Sequence, residues 1–255
     1  MNINLEKAKE EFIKYTERFN LENERIKGKQ KHSIRVMNIS QEIATKLGMN
    51  QEEIELATVI GLLHDIARFK QYTQFETFSD TNSFDHGDYA IKILEKDIRK
   101  YVETSKYDEI IKKAIKNHNK FEIDNNLTEK EKLFTNIVRD ADKIDILYEA
   151  TYIFWAGEEK NIFKSKISDK IYSQFSEKKL IKRQKNVKIE NVDSIISIIA
   201  FIFDINFKES FEIIKDKNYI NLILDRFKYE TTETQEKIKN IKEISNNYIE
   251  EKINK

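Results

Sequence analysis

Residues 61–69 of the chain read GLLHDIARF. In this stretch the apolar residues 61–63 lead directly into the adjacent pair His64 and Asp65. The residues before it place Ile54 and Ile60 at helical spacing, so we expect a helix that carries the pair. Adjacent residues on a helix point about 100° apart. The two side chains are therefore able to reach one ion from neighbouring directions, or Asp65 can bridge two ions while His64 holds one.

The chain has only four histidines, and all of them fall in one spaced series that ends with an Asp-Ala-Asp segment. The series consists of His32, His64, His86 and His118, followed by residues 140–142. Neutral imidazole and carboxylate are common ligands of divalent transition metals. A single histidine in a helical protein is more often structural or solvated, but the ordered series favours a metal site.

The series resembles the signature of the HD superfamily of metal-dependent phosphohydrolases. That signature has a first His, an adjacent His-Asp pair and a distant Asp, each on a different helix. The matching segments here are KQKHSIRV at 29–36, GLLHDIARF at 61–69 and RDADKID at 139–145. The additional His86 and His118 resemble the branch of the superfamily that binds two metals. The resemblance is densest between residues 29 and 148.

The resemblance implies a set of six metal ligands: His32, His64, Asp65, His86, His118 and Asp142. Helical periodicity does not choose between Asp140 and Asp142. The family pattern places the ligand just before a basic residue, so we expect Asp142, with Asp140 as the alternative. His86 and His118 have an alternative role as imidazolium donors to a substrate phosphate beside a single metal.

Three cationic residues lie close in sequence to the expected ligands. Arg68 follows His64 by four positions, and Arg35 follows His32 by three, so each shares a helix face with a histidine. Arginine grips phosphate through its planar fork, and the ammonium of Lys143 can meet a phosphate oxygen. We expect Asp65, Arg68 and Lys143 to serve catalysis. An ordinary surface role is the alternative for each cation.

The resemblance implies hydrolysis of a phosphoester of a nucleotide or small phosphorylated metabolite through metal-bound hydroxide. A divalent metal lowers the pKa of bound water from about 15.7 to about 7. The ligand types suit two ions of manganese, iron, cobalt, nickel or zinc better than calcium. Two alternatives stay open, namely a nucleotide-binding regulatory module without turnover and a di-iron HD oxygenase.

Composition restricts the partners and the compartment. The chain has 255 residues, 35% of them charged, and its formal net charge is zero, so we do not expect nucleic acid or an anionic membrane as a partner. The longest apolar stretch, residues 195–203, is too short to span a bilayer. The absence of cysteine and of a signal peptide suits a cytoplasmic protein. Association of copies of the chain is left open.

The absence of proline and the presence of only five glycines favour an all-α fold, because helices are seldom interrupted. We expect a single HD-domain helical bundle over residues 1–255, with its core at about 29–148 and additional C-terminal helices at about 158–255. Asn50 with Glu53 and Thr128 with Glu131 predict helix starts.

Several segments have a more local interpretation. Gly28 is expected to separate the first two helices, and Gly48 to end the second. Residues 70–85 lack a sustained period and are expected to form a loop over the site. The basic run at 178–188 is expected to be a solvated surface rather than a nucleic-acid contact, because it lacks interleaved aromatic residues.

Overall fold

The computed structural model describes residues 3–154, 162–164, 166–181 and 191–255. The chain divides into two compact units, Met1–Asp142 and Lys143–Lys255. Almost all regular structure in the described residues is helical, which confirms the expected all-α fold class. The scarcity of helix-breaking residues accounts for this composition.

The first unit is built from α-helices joined by short connections. In chain order these are α1 (Leu5–Thr16), α2 (Glu24–Lys46), α3 (Gln51–Leu63), α4 (Arg68–Phe75), α5 (His86–Tyr101), α6 (Asp108–Asn117) and the first part of α7 (Glu129–Tyr152). α2 and α3 pack along each other as a helical hairpin, α1 lies against α3 and α5, and α6 lies against α3 and α5.

The predicted capping residues act as expected. The Asn50 side chain accepts a hydrogen bond from the Glu53 backbone at 3.1 Å and begins α3. Thr128 and Glu131 form a reciprocal pair before α7, with the Thr128 N–H donating to Glu131 Oε2 at 2.8 Å. Gly48 follows α2 with φ +69°, the left-handed conformation that glycine adopts without strain.

Gly61 permits the close packing of α2 on α3. A Cβ atom at this position would lie 2.4 Å from Ser40 Oγ and 2.9 Å from the Val36 carbonyl oxygen. The fully buried rings of Phe12 and Phe69 meet edge to face, with their centroids 5.8 Å apart.

The prediction that Gly28 separates two helices is wrong. α2 begins at Glu24, with the Asn23 side chain as its N-cap, and Gly28 lies inside the helix. No other atom would contact a Cβ at Gly28. A single glycine costs a helix only about 1 kcal/mol, which a long helix packed along α3 tolerates.

The prediction of a loop over residues 70–85 is also wrong for its first part. α4 continues to Phe75, and a short 3-10 turn covers Asp80–Asn82. Helical periodicity is hard to see in α4 because only Phe69 and Gln71 are buried. α4 ends where Glu76 takes a left-handed conformation with φ 52°.

The second unit contains the rest of α7 and shorter elements. These are β1 (Ile162–Phe163), α8 (Asp169–Ser176), α9 (Asn191–Ile199), a 3-10 turn (Ala200–Asp204), α10 (Lys208–Asp216), α11 (Tyr219–Asp225), β2 (Lys228–Tyr229) and α12 (Thr232–Ile253). β1 pairs in parallel with β2, with Ile162 opposite Lys228. α12 packs on α8, α10 and α11, as expected of a terminal amphipathic helix.

Residues 195–203, the longest apolar stretch of the chain, are mostly buried. They are divided between α9 and the following 3-10 turn.

Arg226 donates to the carbonyl oxygens of Ala150, Thr151 and Phe154, which satisfies the C-terminal end of α7. Most of the basic run lies outside the described residues. No helix in the described parts of the chain combines the length and apolarity that crossing a membrane requires.

Candidate metal centre

The six expected ligands come from separate elements of the first unit and meet in its interior. His32 lies within α2, His64 and Asp65 directly follow the last residue of α3, and His86 is the first residue of α5. His118 directly follows α6, and Asp142 lies in α7. All four histidines and Asp65 are buried.

One group of acceptor atoms forms around His32 and His64. Their Nε2 atoms are 3.2 Å apart, and Asp142 Oδ1 is 3.2 Å from His32 Nε2. Asp65 Oδ2 lies 3.5 Å from His32 Nε2 and 3.6 Å from His64 Nε2. The ligand atoms of His32, His64 and Asp142 lie within 4.8 Å of one another, close enough to hold one ion together.

A second group forms around His86 and His118. Their Nε2 atoms are 3.0 Å apart. Asp65 Oδ1 lies 3.3 Å from His86 Nε2 and 3.7 Å from His118 Nε2. The two carboxylate oxygens of Asp65 therefore face different groups.

Hydrogen bonds on the far side of the rings set the tautomers of three histidines. His64 Nδ1 lies 2.8 Å from the Gly61 carbonyl oxygen, and His118 Nδ1 lies 2.6 Å from that of Ile115. A carbonyl oxygen only accepts, so each Nδ1 carries the proton and donates. His86 Nδ1 lies 2.7 Å from Asp80 Oδ2 and donates in the same way. The Nε2 atoms that face the cluster are thus lone-pair nitrogens.

Burial keeps the imidazoles neutral. It lowers the pKa of His64 from 6.5 to about 3 and that of His86 from 6.5 to about 4. Burial raises the pKa of Asp65, but the charges of Lys29 and Arg68 help to hold it well below its usual range. At neutral pH the imidazoles of His64 and His86 are therefore uncharged, and Asp65 is ionised.

This donor set fits a divalent transition metal. The Nε2 lone pairs of His86 and His118 face each other at 3.0 Å and repel, and a cation between them turns that repulsion into coordination. Two nitrogens bound to one ion at about 2.0–2.1 Å are themselves about 3.0–3.4 Å apart. Mixed imidazole and carboxylate ligands suit manganese, iron, cobalt, nickel or zinc.

The aspartates of the 140–142 segment differ in their surroundings. Asp142 meets both His32 and His64, with Oδ1 at 3.8 Å from His64 Nε2. Burial opposes ionisation, but the hydrogen bond from His32 holds the Asp142 pKa well below its usual range. Asp140 is completely buried one position before Ala141. Asp142 is the residue that the structure places with the histidines.

The expected phosphate-binding cations have different environments. Arg68 donates to Asp65 Oδ1 at 3.4 Å, to Asp80 Oδ1 at 2.9 Å and to the Phe78 carbonyl. Lys143 forms an ion pair with Asp204 at 2.9 Å. Arg35 is half-buried in α2. Arg68 contacts the cluster through Asp65.

Sequence reasoning missed Lys29, whose ammonium lies 2.8 Å from Asp65 Oδ2. The Lys29 side chain is about one-fifth exposed, so it contacts both the buried cluster and solvent. Lys29 precedes His32 by three positions, and this spacing places both on one face of α2. This spacing is the sequence feature from which the position of Lys29 beside the cluster could have been predicted.

Arg139 was also missed. This buried residue of α7 donates to the carbonyl oxygens of Asn117, His118 and Lys120. It thereby holds the backbone that carries His118. An arginine directly before the Asp-Ala-Asp segment carries no periodic signal for this role, because its partners lie about twenty residues earlier in the chain.

Comparison with known proteins gives one match, at the level of a family. Residues 30–147 match the family model described as HD domain. The matched stretch contains all six expected ligands. No curated protein and no solved structure matches the chain.

Proposed function

Since residues 30–147 form an HD domain, which belongs to a superfamily of metal-dependent hydrolases, we propose that this chain is a phosphohydrolase. Its substrate is a phosphoester of a nucleotide or of a small phosphorylated metabolite. The supporting observation is the pair of acceptor groups that share the two oxygens of Asp65. Such a shared carboxylate suits a two-ion centre.

Each ion has its own set of ligands in this proposal. His32, His64 and Asp142 would hold one ion, His86 and His118 the other, and Asp65 both. When bound, divalent ions lower the pKa of water to about 7 and neutralise charge on phosphoryl oxygens. The centre is thus suited to hydrolysis without a serine or cysteine nucleophile.

The protein's own residues prepare the centre for an anionic substrate. The neutral imidazoles keep their lone pairs available, because burial disfavours their protonation. Lys29 and Arg68 lie on opposite oxygens of Asp65, at 2.8 and 3.4 Å. We assign them to the phosphate of the substrate, since a cation next to the bridging carboxylate is within reach of a group bound there. Lys143 stays a candidate for the same role.

The proposal predicts turnover that depends on both metal and ligands. Purified protein supplied with manganese or cobalt should release phosphate or nucleotide product from a panel of nucleotides and phosphomonoesters. His64→Ala combined with Asp65→Ala should abolish this release, because it removes a ligand of one ion and the shared carboxylate. Asp97→Asn is the control, since Asp97 pairs with Lys100 away from the cluster.

Three other outcomes would contradict the proposal. Turnover by the double variant equal to that of the wild type would show that the cluster does not perform the reaction. Tight nucleotide binding without product would favour a regulatory module. Two irons per chain with oxygen consumption would favour an oxygenase. Circular dichroism of the double variant shows whether lost activity reflects lost fold.

A further inference from the structure

We propose that Asp80 is a positioning residue that orients His86 towards the second ion. This inference rests on the proposed function, because it takes His86 as a metal ligand. Asp80 would act through His86 and would not itself bind the ion. It lies in the 3-10 turn between α4 and α5, in a stretch where the sequence shows no periodic signal.

The carboxylate of Asp80 is the meeting point of four donor side chains. Oδ2 accepts from His86 Nδ1 at 2.7 Å and from Asn119 Nδ2 at 3.1 Å. Oδ1 accepts from Arg68 at 2.9 Å and from Gln71 Nε2 at 2.9 Å. Only an ionised carboxylate accepts from all four at once. Asp80 therefore fixes the proton of His86 on Nδ1 and leaves Nε2 free to ligate.

His86 needs a side-chain partner because of its place in the fold. His64 and His118 donate from Nδ1 to the carbonyl oxygen three residues earlier, which a preceding helix supplies. His86 is the first residue of α5, so no helical turn precedes it. Asp80 replaces that missing acceptor, and it also brings a negative charge close to the ring. Hydrogen-bonded carboxylates raise the basicity of a ligating histidine.

Asp80 is itself held in place by Gln71, whose side chain is completely buried. Gln71 Nε2 also donates to Ser83 Oγ at 2.8 Å and to the Phe84 carbonyl at 2.9 Å. Its Oε1 accepts from Arg68 at 2.7 Å. These bonds tie the turn to α4 on the side that faces His86. The orientation of His86 thus depends on the hydrogen bonds that Arg68, Gln71 and Asn119 donate to Asp80.

Metal titration of Asp80→Ala and Asp80→Asn tests the proposal. Calorimetry with manganese or zinc should show two ions in the wild type. In both variants one ion should bind as in the wild type, and the second about 10–100-fold more weakly. Asparagine retains the shape of aspartate, but its amide nitrogen would face a donor. The control is Asp97→Asn, because Asp97 also lies in α5 but pairs with Lys100 and does not contact Asp80 or His86.

A second measurement does not need metal. Nitrogen-15 NMR of the metal-free wild type should show His86 with its proton on Nδ1. In Asp80→Ala the ring should become a mixture of tautomers, while His64 and His118 keep theirs. Asp97→Asn should leave all of these signals unchanged. A role in stability alone would not move the tautomer of one histidine.

The outcomes separate the two proposals. A wild type that binds no ions would contradict the proposed function itself. A wild type with two ions whose Asp80 variants also bind both at unchanged affinity would overturn the role of Asp80. Equal weakening of both ions would overturn it as well, because the role is specific to the His86 group.

Discussion

Burial of His64 and His86 makes the stability of the metal-free protein depend on pH. The pKa values of these side chains are lowered from 6.5 to about 3 and about 4. Between pH 6.5 and 4 the unfolded chain therefore binds more protons than the folded chain. The free energy of unfolding should be greatest above pH 6.5 and should fall as the pH falls from 6.5 towards 4. Urea unfolding with a chelator present measures this dependence.

The variant His86→Asn provides the comparison for this prediction. Asparagine does not titrate, so its free energy of unfolding should fall less steeply over the same pH range. Identical slopes for the variant and the wild type would show that folding does not shift the pKa of His86.

At the scale of single elements, Gly61 controls how closely α3 approaches α2. Gly61→Ala should lower the free energy of unfolding by about 1–3 kcal/mol, since its Cβ would overlap Ser40 and the Val36 carbonyl. The matched control is Gly28→Ala in α2, where a Cβ would contact nothing. Gly28→Ala should raise the free energy of unfolding by about 0.4–1 kcal/mol. Thermal or urea unfolding measures both.

Equal effects of the two alanine substitutions would contradict the close contact at Gly61.

Some helix boundaries could be predicted from the sequence and others could not. The caps at Asn50 and Thr128 were predictable, because each involves residues three positions apart. The continuity of α2 through Gly28 was not, since it depends on the packing of α2 on α3.

At the scale of the whole molecule, metal binding should be linked to the stability of the fold. The six ligands lie up to 110 positions apart in the sequence, so the unfolded chain does not present them together. An ion at about 100 times its dissociation constant then adds about 2.7 kcal/mol to the free energy of unfolding. Scanning calorimetry with manganese or zinc should show a higher Tm than with a chelator.

The combined His64→Ala and Asp65→Ala variant is the control for this linkage. Its Tm should not respond to the metal, because a ligand of one ion and the shared carboxylate are missing. A wild-type Tm that is the same with metal and with chelator would contradict binding to the folded state.

The amino-acid sequence by itself determined the helical fold class, the starts of α3 and α7, and the kinds of side chain that form the cluster. These properties depend on residue type and on spacings of a few positions, which are local. Tertiary structure alone decided that Asp65 presents one oxygen to each histidine group, that Asp142 meets His32, and that Asp80 and Lys29 join the cluster. Those contacts join distant segments, and the packing of helices brings them together.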